Sequence, residues 1–134
     1  MYYDFAVLVE TKHKVDSPKE EVLTLTKGVI HRIEAEFPAG CRGQVYLKLL
    51  HREHQVWPTN PQGAFNGEGY TVPIDEHYKL ASEPYALKAV AWGVDCGYDH
   101  TITVRVGILP EEVAAPMTGL VAVFRKFFKL VGVK

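Results

Sequence analysis

The stretch Tyr85–Leu109, YALKAVAWGVDCGYDHTITVRVGIL, decides the fold class. Tyr85, Leu87, Ala89 and Ala91 alternate with Ala86, Lys88, Val90 and Trp92. Beyond a turn with two glycines, His100, Ile102, Val104, Val106 and Ile108 alternate with Thr101, Thr103, Arg105, Gly107 and Leu109. A period of two sends successive side chains to opposite faces of a strand, so each run offers one apolar face. Two such runs joined by a Gly-containing turn predict a β-hairpin.

The same period recurs outward from that stretch. Val29, His31, Ile33, Ala35 and Phe37 fall on one face, and Ile30, Arg32, Glu34 and Glu36 on the other. Pro38-Ala39-Gly40 ends this run with turn chemistry. Val45, Leu47 and Leu49 then face inward with Tyr46 and Lys48 outward, which predicts a second antiparallel pair. At the N-terminus, Tyr3, Phe5, Val7 and Val9 alternate with Asp4, Ala6, Leu8 and Glu10, a strand expected to be covered on both sides. Lys12–Glu20 reads as a loop, Val22–Thr26 as a short strand, and Gly28 as a bend or bulge. His51–Gly69, with Trp57-Pro58-Thr59-Asn60-Pro61 and three glycines, reads as a long loop, a kind that often carries function. Tyr70–Ile74 resumes as a short strand placed at an edge by Pro73, and Asp75–Pro84 reads as a second connection.

Seven or eight strands without a helix before Pro110 predict an all-β, two-sheet antiparallel β-sandwich, jelly-roll-like; an immunoglobulin-like sandwich is the alternative. The expected core is Val7, Ile33, Phe37, Val45, Leu47, Leu49, Leu87, Ala89, Ile102, Val104 and Val106. The chain divides into a sandwich domain (1–109), a linker (110–117) and a C-terminal amphipathic arm (118–134). In the arm, Thr118 suits a helix cap, and Leu120, Val123, Phe124, Phe127, Phe128 and Val131 recur at helical spacing opposite Arg125, Lys126 and Lys129. These six apolar residues are the expected contact with a partner or a neighbouring copy.

Charge and composition exclude several functions. The 134 residues suit one domain, and a net charge of −1 excludes a generally basic nucleic-acid coat. Residues 114–134 hold four of the 15 bases and no acid, leaving eleven bases against 16 acids in the rest, a body of −5 with a tail of +4. No apolar run reaches the ~18 residues of a transmembrane helix. The start, Met1-Tyr2-Tyr3-Asp4, lacks the basic region of a signal peptide, so a virion or cytoplasmic assembly is expected over secretion. Cys41 and Cys96 both sit in Gly-flanked turns; a bridge between them and two free thiols are both open readings.

The candidate chemistry is thin. His51-Arg52-Glu53-His54 places two His at i and i+3 at a strand end, unlike the i, i+4 helical pair of zinc proteases, and reads as an exposed polar loop start. Glu76-His77 and Asp99-His100 set His beside carboxylates, but Ser17 and Ser82, the only serines, lie in no nucleophile elbow. Gly63, Gly67 and Gly69 precede no helix pattern, so no phosphate loop is read. No catalytic residue, metal ligand or cofactor is assigned, and the chain reads as a non-enzyme. Trp57, Asn60, Phe65 and Tyr70 form a candidate ligand loop, with a sugar as the ligand such aromatics suit; their commoner role is to pack loops onto a sheet.

The paired strands Val29–Phe37 and Val45–Leu50, the loop Trp57–Tyr70 and the hairpin Tyr85–Leu109 together resemble the architecture of small virion accessory proteins, the decoration and adhesion jelly rolls of phages and viruses. The resemblance implies a non-enzymatic structural or interaction module that self-assembles or decorates a larger particle such as a virion. A carbohydrate-binding sandwich and a small metal-dependent hydrolase are the competing classes. The expected partner is another copy or a larger protein assembly. Nucleic acid is disfavoured by the acidic body, and membrane-surface contact through the arm is the weaker reading because the basic residues are few.

Overall fold

The computed structural model describes residues 1–110. They form nine strands: β1 (Tyr2–Val9), β2 (Lys19–Thr24), β3 (Gly28–Phe37), β4 (Val45–His51), β5 (His54–Trp57), β6 (Phe65–Asn66), β7 (Tyr70–Leu80), β8 (Ala86–Gly93) and β9 (His100–Leu109). One sheet runs β1-β9-β3-β7; the other runs β2-β8-β4-β5, with β6 also on β4. All pairings are antiparallel. The fold among the described residues is therefore all-β, with two antiparallel sheets packed together. None of these residues forms a helix long and apolar enough to cross a membrane.

The pairings are nested. β1 lies on β9, β2 on β8, β3 on β7, and β4 on β5 and β6. The chain is one long ladder whose tip is the β4–β5 turn. Two further pairings, β3 with β9 and β4 with β8, roll the ladder into two layers.

This topology corrects two expectations. Residues 85–109 are not a hairpin: β8 lies between β2 and β4, and β9 between β1 and β3, in opposite layers. The β3–β4 pair is likewise split between sheets. In each case the two apolar faces meet the same interior from opposite sides, and short connections suffice because packed sheets lie only about 10 Å apart. The two crossings are tied to each other, since Val94 N donates to Gln44 O at 2.8 Å.

Every residue expected in the core is buried, and Leu23, Ile30, Leu80 and Ile108 join it. Ile30 corrects the reading of β3. A bulge between Ile30 and Arg32 interrupts both of that strand's ladders and shifts its alternation, turning Ile30 inward and leaving His31 half-buried against Tyr2 on the outer face, ring centroids 5.6 Å apart. Each fully buried Leu, Ile or Phe contributes roughly 1.5–3 kcal/mol.

Other boundaries also differ. β1 is covered on one face, with Tyr2, Asp4, Ala6 and Leu8 exposed. β2 begins at Lys19 and ends at Thr24. β7 continues through 75–80, expected as a connection, because Arg32↔Asp75, Ile30↔Tyr78 and Gly28↔Leu80 keep it on β3; Pro73 does lie on an edge strand. The expected loop 51–69 contains β5 and β6. Arg52 (φ 54°) and Glu53 (φ 65°) make the two-residue β4–β5 turn in the left-handed conformation that such tight turns require. The linker beyond Pro110 and the arm, with Leu120, Val123, Phe124, Phe127, Phe128 and Val131, lie outside the described residues.

Gly28 shows how closely neighbouring strands β3 and β9 of one sheet approach. It has φ 154°, and a Cβ there would lie 2.6 Å from Ile108 Cγ2 and 2.7 Å from the Leu109 carbonyl oxygen. Gly97 has nothing within 4 Å of the same point. Gly28→Ala should cost about 1–3 kcal/mol in denaturant unfolding, whereas Gly97→Ala should stay within about 0.5 kcal/mol of wild type.

Candidate functional site

The β5–β7 side of the sandwich is closed by an aromatic cluster. Trp57, at the end of β5, is 3% exposed. Its Nε1 donates to Glu76 Oε2 at 3.1 Å, and its ring packs edge-on against Tyr78 with centroids 5.2 Å apart. Tyr78 in turn meets His51 edge-on, its hydroxyl 2.7 Å from Nδ1, while His51 Nε2 is 3.3 Å from the Pro84 carbonyl oxygen. A carbonyl only accepts, so Nε2 is the donor to Pro84, while the Tyr78 hydroxyl pairs with Nδ1.

The expected ligand loop is divided by this packing. Trp57 and Phe65 turn inward, Phe65 against the core. Asn60 is exposed, with its carbonyl oxygen accepting from Gln55 Nε2 at 3.0 Å. Tyr70, at the start of β7, is 58% exposed. Trp57 therefore has no free face for a sugar ring. His51 and His54 stand opposite each other across the β4–β5 turn, the first buried and engaged, the second exposed. No group of three or more His, Cys, Asp or Glu among the described residues is placed to hold a metal ion. A recess of about 300 Å³ beside the turn is crossed by Arg52, whose guanidinium donates to Ser82 Oγ and to the carbonyls of Ser82 at 3.2 Å and Glu83 at 2.8 Å.

At the crossing loops, Cys41 and Cys96 line one cleft of about 210 Å³ with Arg42, Gln44, Tyr98 and His100. Both thiols are free. Cys41 is buried, its Sγ donating to Gly67 O at 2.8 Å and Pro38 O at 3.1 Å, and burial pushes its thiol pKa up. Cys96 is half-buried, 3.6 Å from Val94 O. The turn that carries Cys41 has Gly40, Arg42 and Gly43 at positive φ, so its amides converge on one point. The anion there is the chain's own Glu68, which accepts from Gly40 N at 2.6 Å and Arg42 N at 2.5 Å; these bonds hold its carboxyl below the usual range. The glycines around Cys41 announce such a turn, but nothing local announces Glu68 as its occupant.

The outer faces satisfy their own charges. On the β1-β9-β3-β7 sheet, Arg32 bridges Asp75 at 2.7 Å and Glu34 at 3.1 Å, and Arg105 bridges Glu36 at 3.4 Å and Glu34 at 3.7 Å. On the other sheet, Lys88 meets Glu53 at 2.8 Å, Tyr46 stacks on Trp92 with centroids 5.7 Å apart, and Lys48 lies over the Trp92 ring.

The β1–β2 side is different. Among the described residues, five of the eight exposed large apolar side chains lie at or between these two strands: Met1 (56%), Tyr2 (69%), Leu8 (42%), Val15 (68%) and Val22 (66%). Edge strands are normally protected by charge, proline or brevity. β7 carries Pro73, Asp75 and Lys79; β5 has four residues; β2 carries Lys19, Glu20 and Glu21. β1 has eight residues and one charge, Asp4. Compared with family models, with curated proteins and with solved structures, the chain matches none.

The thiol cleft yields two expectations. With a thiol-labelling reagent at pH 8, Cys96 should react first and Cys41 roughly tenfold or more slowly, since burial keeps its thiolate scarce. Glu68 stabilises the turn fully above the unfolded carboxyl pKa of about 4.3, and that contribution is lost as pH falls through its lowered folded value. Thermal unfolding between pH 6 and pH 3 should therefore drop more steeply for wild type than for Glu68→Gln.

Proposed function

We propose that this chain is a non-enzymatic structural module that assembles with its own kind or onto a larger particle such as a virion. The observation that carries the reading is the exposure of apolar side chains on both outer faces of this side, Tyr2 and Leu8 on β1 and Val22 on β2, beside β1, which among the described residues is the long edge strand without the usual protection. The nested pairing β1–β9, β2–β8, β3–β7 and β4–β5, rolled into two layers, follows the double Greek-key pattern of a jelly roll, and it supports the comparison with virion decoration proteins. The inward turn of Trp57 weighs against a sugar platform on the 57–70 loop.

Sedimentation velocity across a wide concentration range tests this reading. Wild type should form discrete assemblies or travel with a large partner when isolated from its source. The double variant Tyr2→Ser, Val22→Ser changes only exposed side chains, so it should fold normally and associate at least about tenfold more weakly. A strictly monomeric wild type with no large partner would overturn the proposal.

A further inference from the structure

Resting on that reading, we infer that β1 is a self-complementary edge, and that a second copy of this chain pairs with it antiparallel across a two-fold axis through Phe5. The backbone fixes which groups are free. Met1 N donates to Ile108 O at 2.8 Å and Ile108 N to Met1 O at 2.7 Å. Hydrogen-bonded pairs alternate along an antiparallel ladder, and the register runs from Tyr2↔Gly107 to Val9↔His100. Tyr3, Phe5, Val7 and Val9 therefore spend their amides and carbonyls on β9. Tyr2, Asp4, Ala6 and Leu8 point theirs away from the sheet, without a backbone partner among the described residues.

Only these four residues can pair with a second copy, which limits the two-fold registers. Centring on Asp4 sets two carboxylates directly opposite, a destabilising arrangement. Centring on Ala6 sets Tyr2 opposite Glu10, whose amide is already spent on His13 Nδ1 at 2.9 Å. Centring on Phe5 pairs Tyr2 with Leu8 and Asp4 with Ala6, uses all four free residues of each copy and opposes no like charges. It also places Phe5 against Phe5 and Tyr3 against Val7 on the inner face. Tyr3 and Phe5, stacked with centroids 6.1 Å apart, are half-buried, and no strand among the described residues lies beyond β1. On the outer face, Tyr2 of one copy covers Leu8 of the other. The two four-stranded sheets become one continuous sheet, β7-β3-β9-β1 meeting β1-β9-β3-β7.

The test uses the full chain. In this register Phe5 faces Phe5 as a non-hydrogen-bonded pair with Cα atoms about 4.5 Å apart, within the reach of a disulfide. Phe5→Cys treated with glutathione disulfide should give a covalent dimer, two protein thiols being oxidised to one bridge as two glutathione thiols are released. The dimer should vanish on reduction, and wild type, with Cys41 and Cys96, should give none. Ala6→Pro removes an N–H that points off the edge and leaves the β9 ladder intact, so it should weaken association by about tenfold or more. If folded Phe5→Cys gives no dimer and Ala6→Pro associates like wild type, the β1 pairing is wrong while assembly through another surface stands. If wild type is monomeric throughout, the β1 pairing falls, and if it also travels with no large partner, both ideas fall.

Discussion

β3 is paired along both sides, with β7 from Gly28↔Leu80 to Phe37↔Tyr70 and with β9 from Val29↔Leu109 to Glu36↔Thr103. The second of these pairings holds the rest together. Without it, β1–β9 and β3–β7 are separate two-stranded ribbons, and isolated ribbons are marginal in water. With it, Ile33 and Ala35 of β3 stand beside Val104 and Val106 of β9, and one interior receives the apolar faces of both sheets. The bulge at Ile30–Arg32 belongs to the same constraint. It keeps Ile30 in the core at one end of β3 while Ile33, Ala35 and Phe37 stay there at the other.

Period-two alternation reports which face of a strand is buried, and it did so residue by residue for Val45, Leu47, Leu49, Leu87, Ala89, Ile102, Val104 and Val106. It says nothing about which strand lies alongside. The glycines at 93 and 97 read as a hairpin turn because neighbours in sequence usually pair; here they serve a crossing between layers. Alternation alone puts Ile30 on the outer face, because a bulge shifts the phase without leaving a residue type that marks it. Residues 75–80 read as a connection because an edge strand is half solvated, and Asp75, His77 and Lys79 resemble a loop. The cleft has another origin: Cys41 and Cys96 line it from two connections that the rolled topology brings together, and Glu68 holds the first of these from a third.

The two open sides of the sandwich are built to different ends. Between β5 and β7, Trp57, Tyr78, His51 and Glu76 interlock through rings and hydrogen bonds, so the polar ends of large aromatics are satisfied from within. A buried Tyr or Trp without such a partner would be costly, and this side spends its aromatics on closure. On β1 and β2, large apolar side chains face outward, and alternate donors and acceptors along the β1 backbone meet no partner among the described residues. The same chain thus finishes one edge internally and leaves the other unfinished, a difference that packing within the described residues does not require.

A two-fold contact saturates at two copies. Pairing through β1 would make a dimer with no further β1 edge to offer, so it also removes the hazard of open-ended strand addition. Attachment to a particle then needs a second, different surface. The charge-paired faces of Arg32, Arg105 and Lys88 are poor choices, because displacing Asp75, Glu36 or Glu53 would strand a charge. The sequence beyond Pro110 has the composition for that task, with four bases and no acids between 114 and 134 against a body of opposite sign, and apolar positions at Leu120, Phe124, Phe127 and Val131. On the proposed reading, the labour is divided: the β1 edge joins like to like, and the tail, by charge and then by burial of its phenylalanines, joins the pair to something larger.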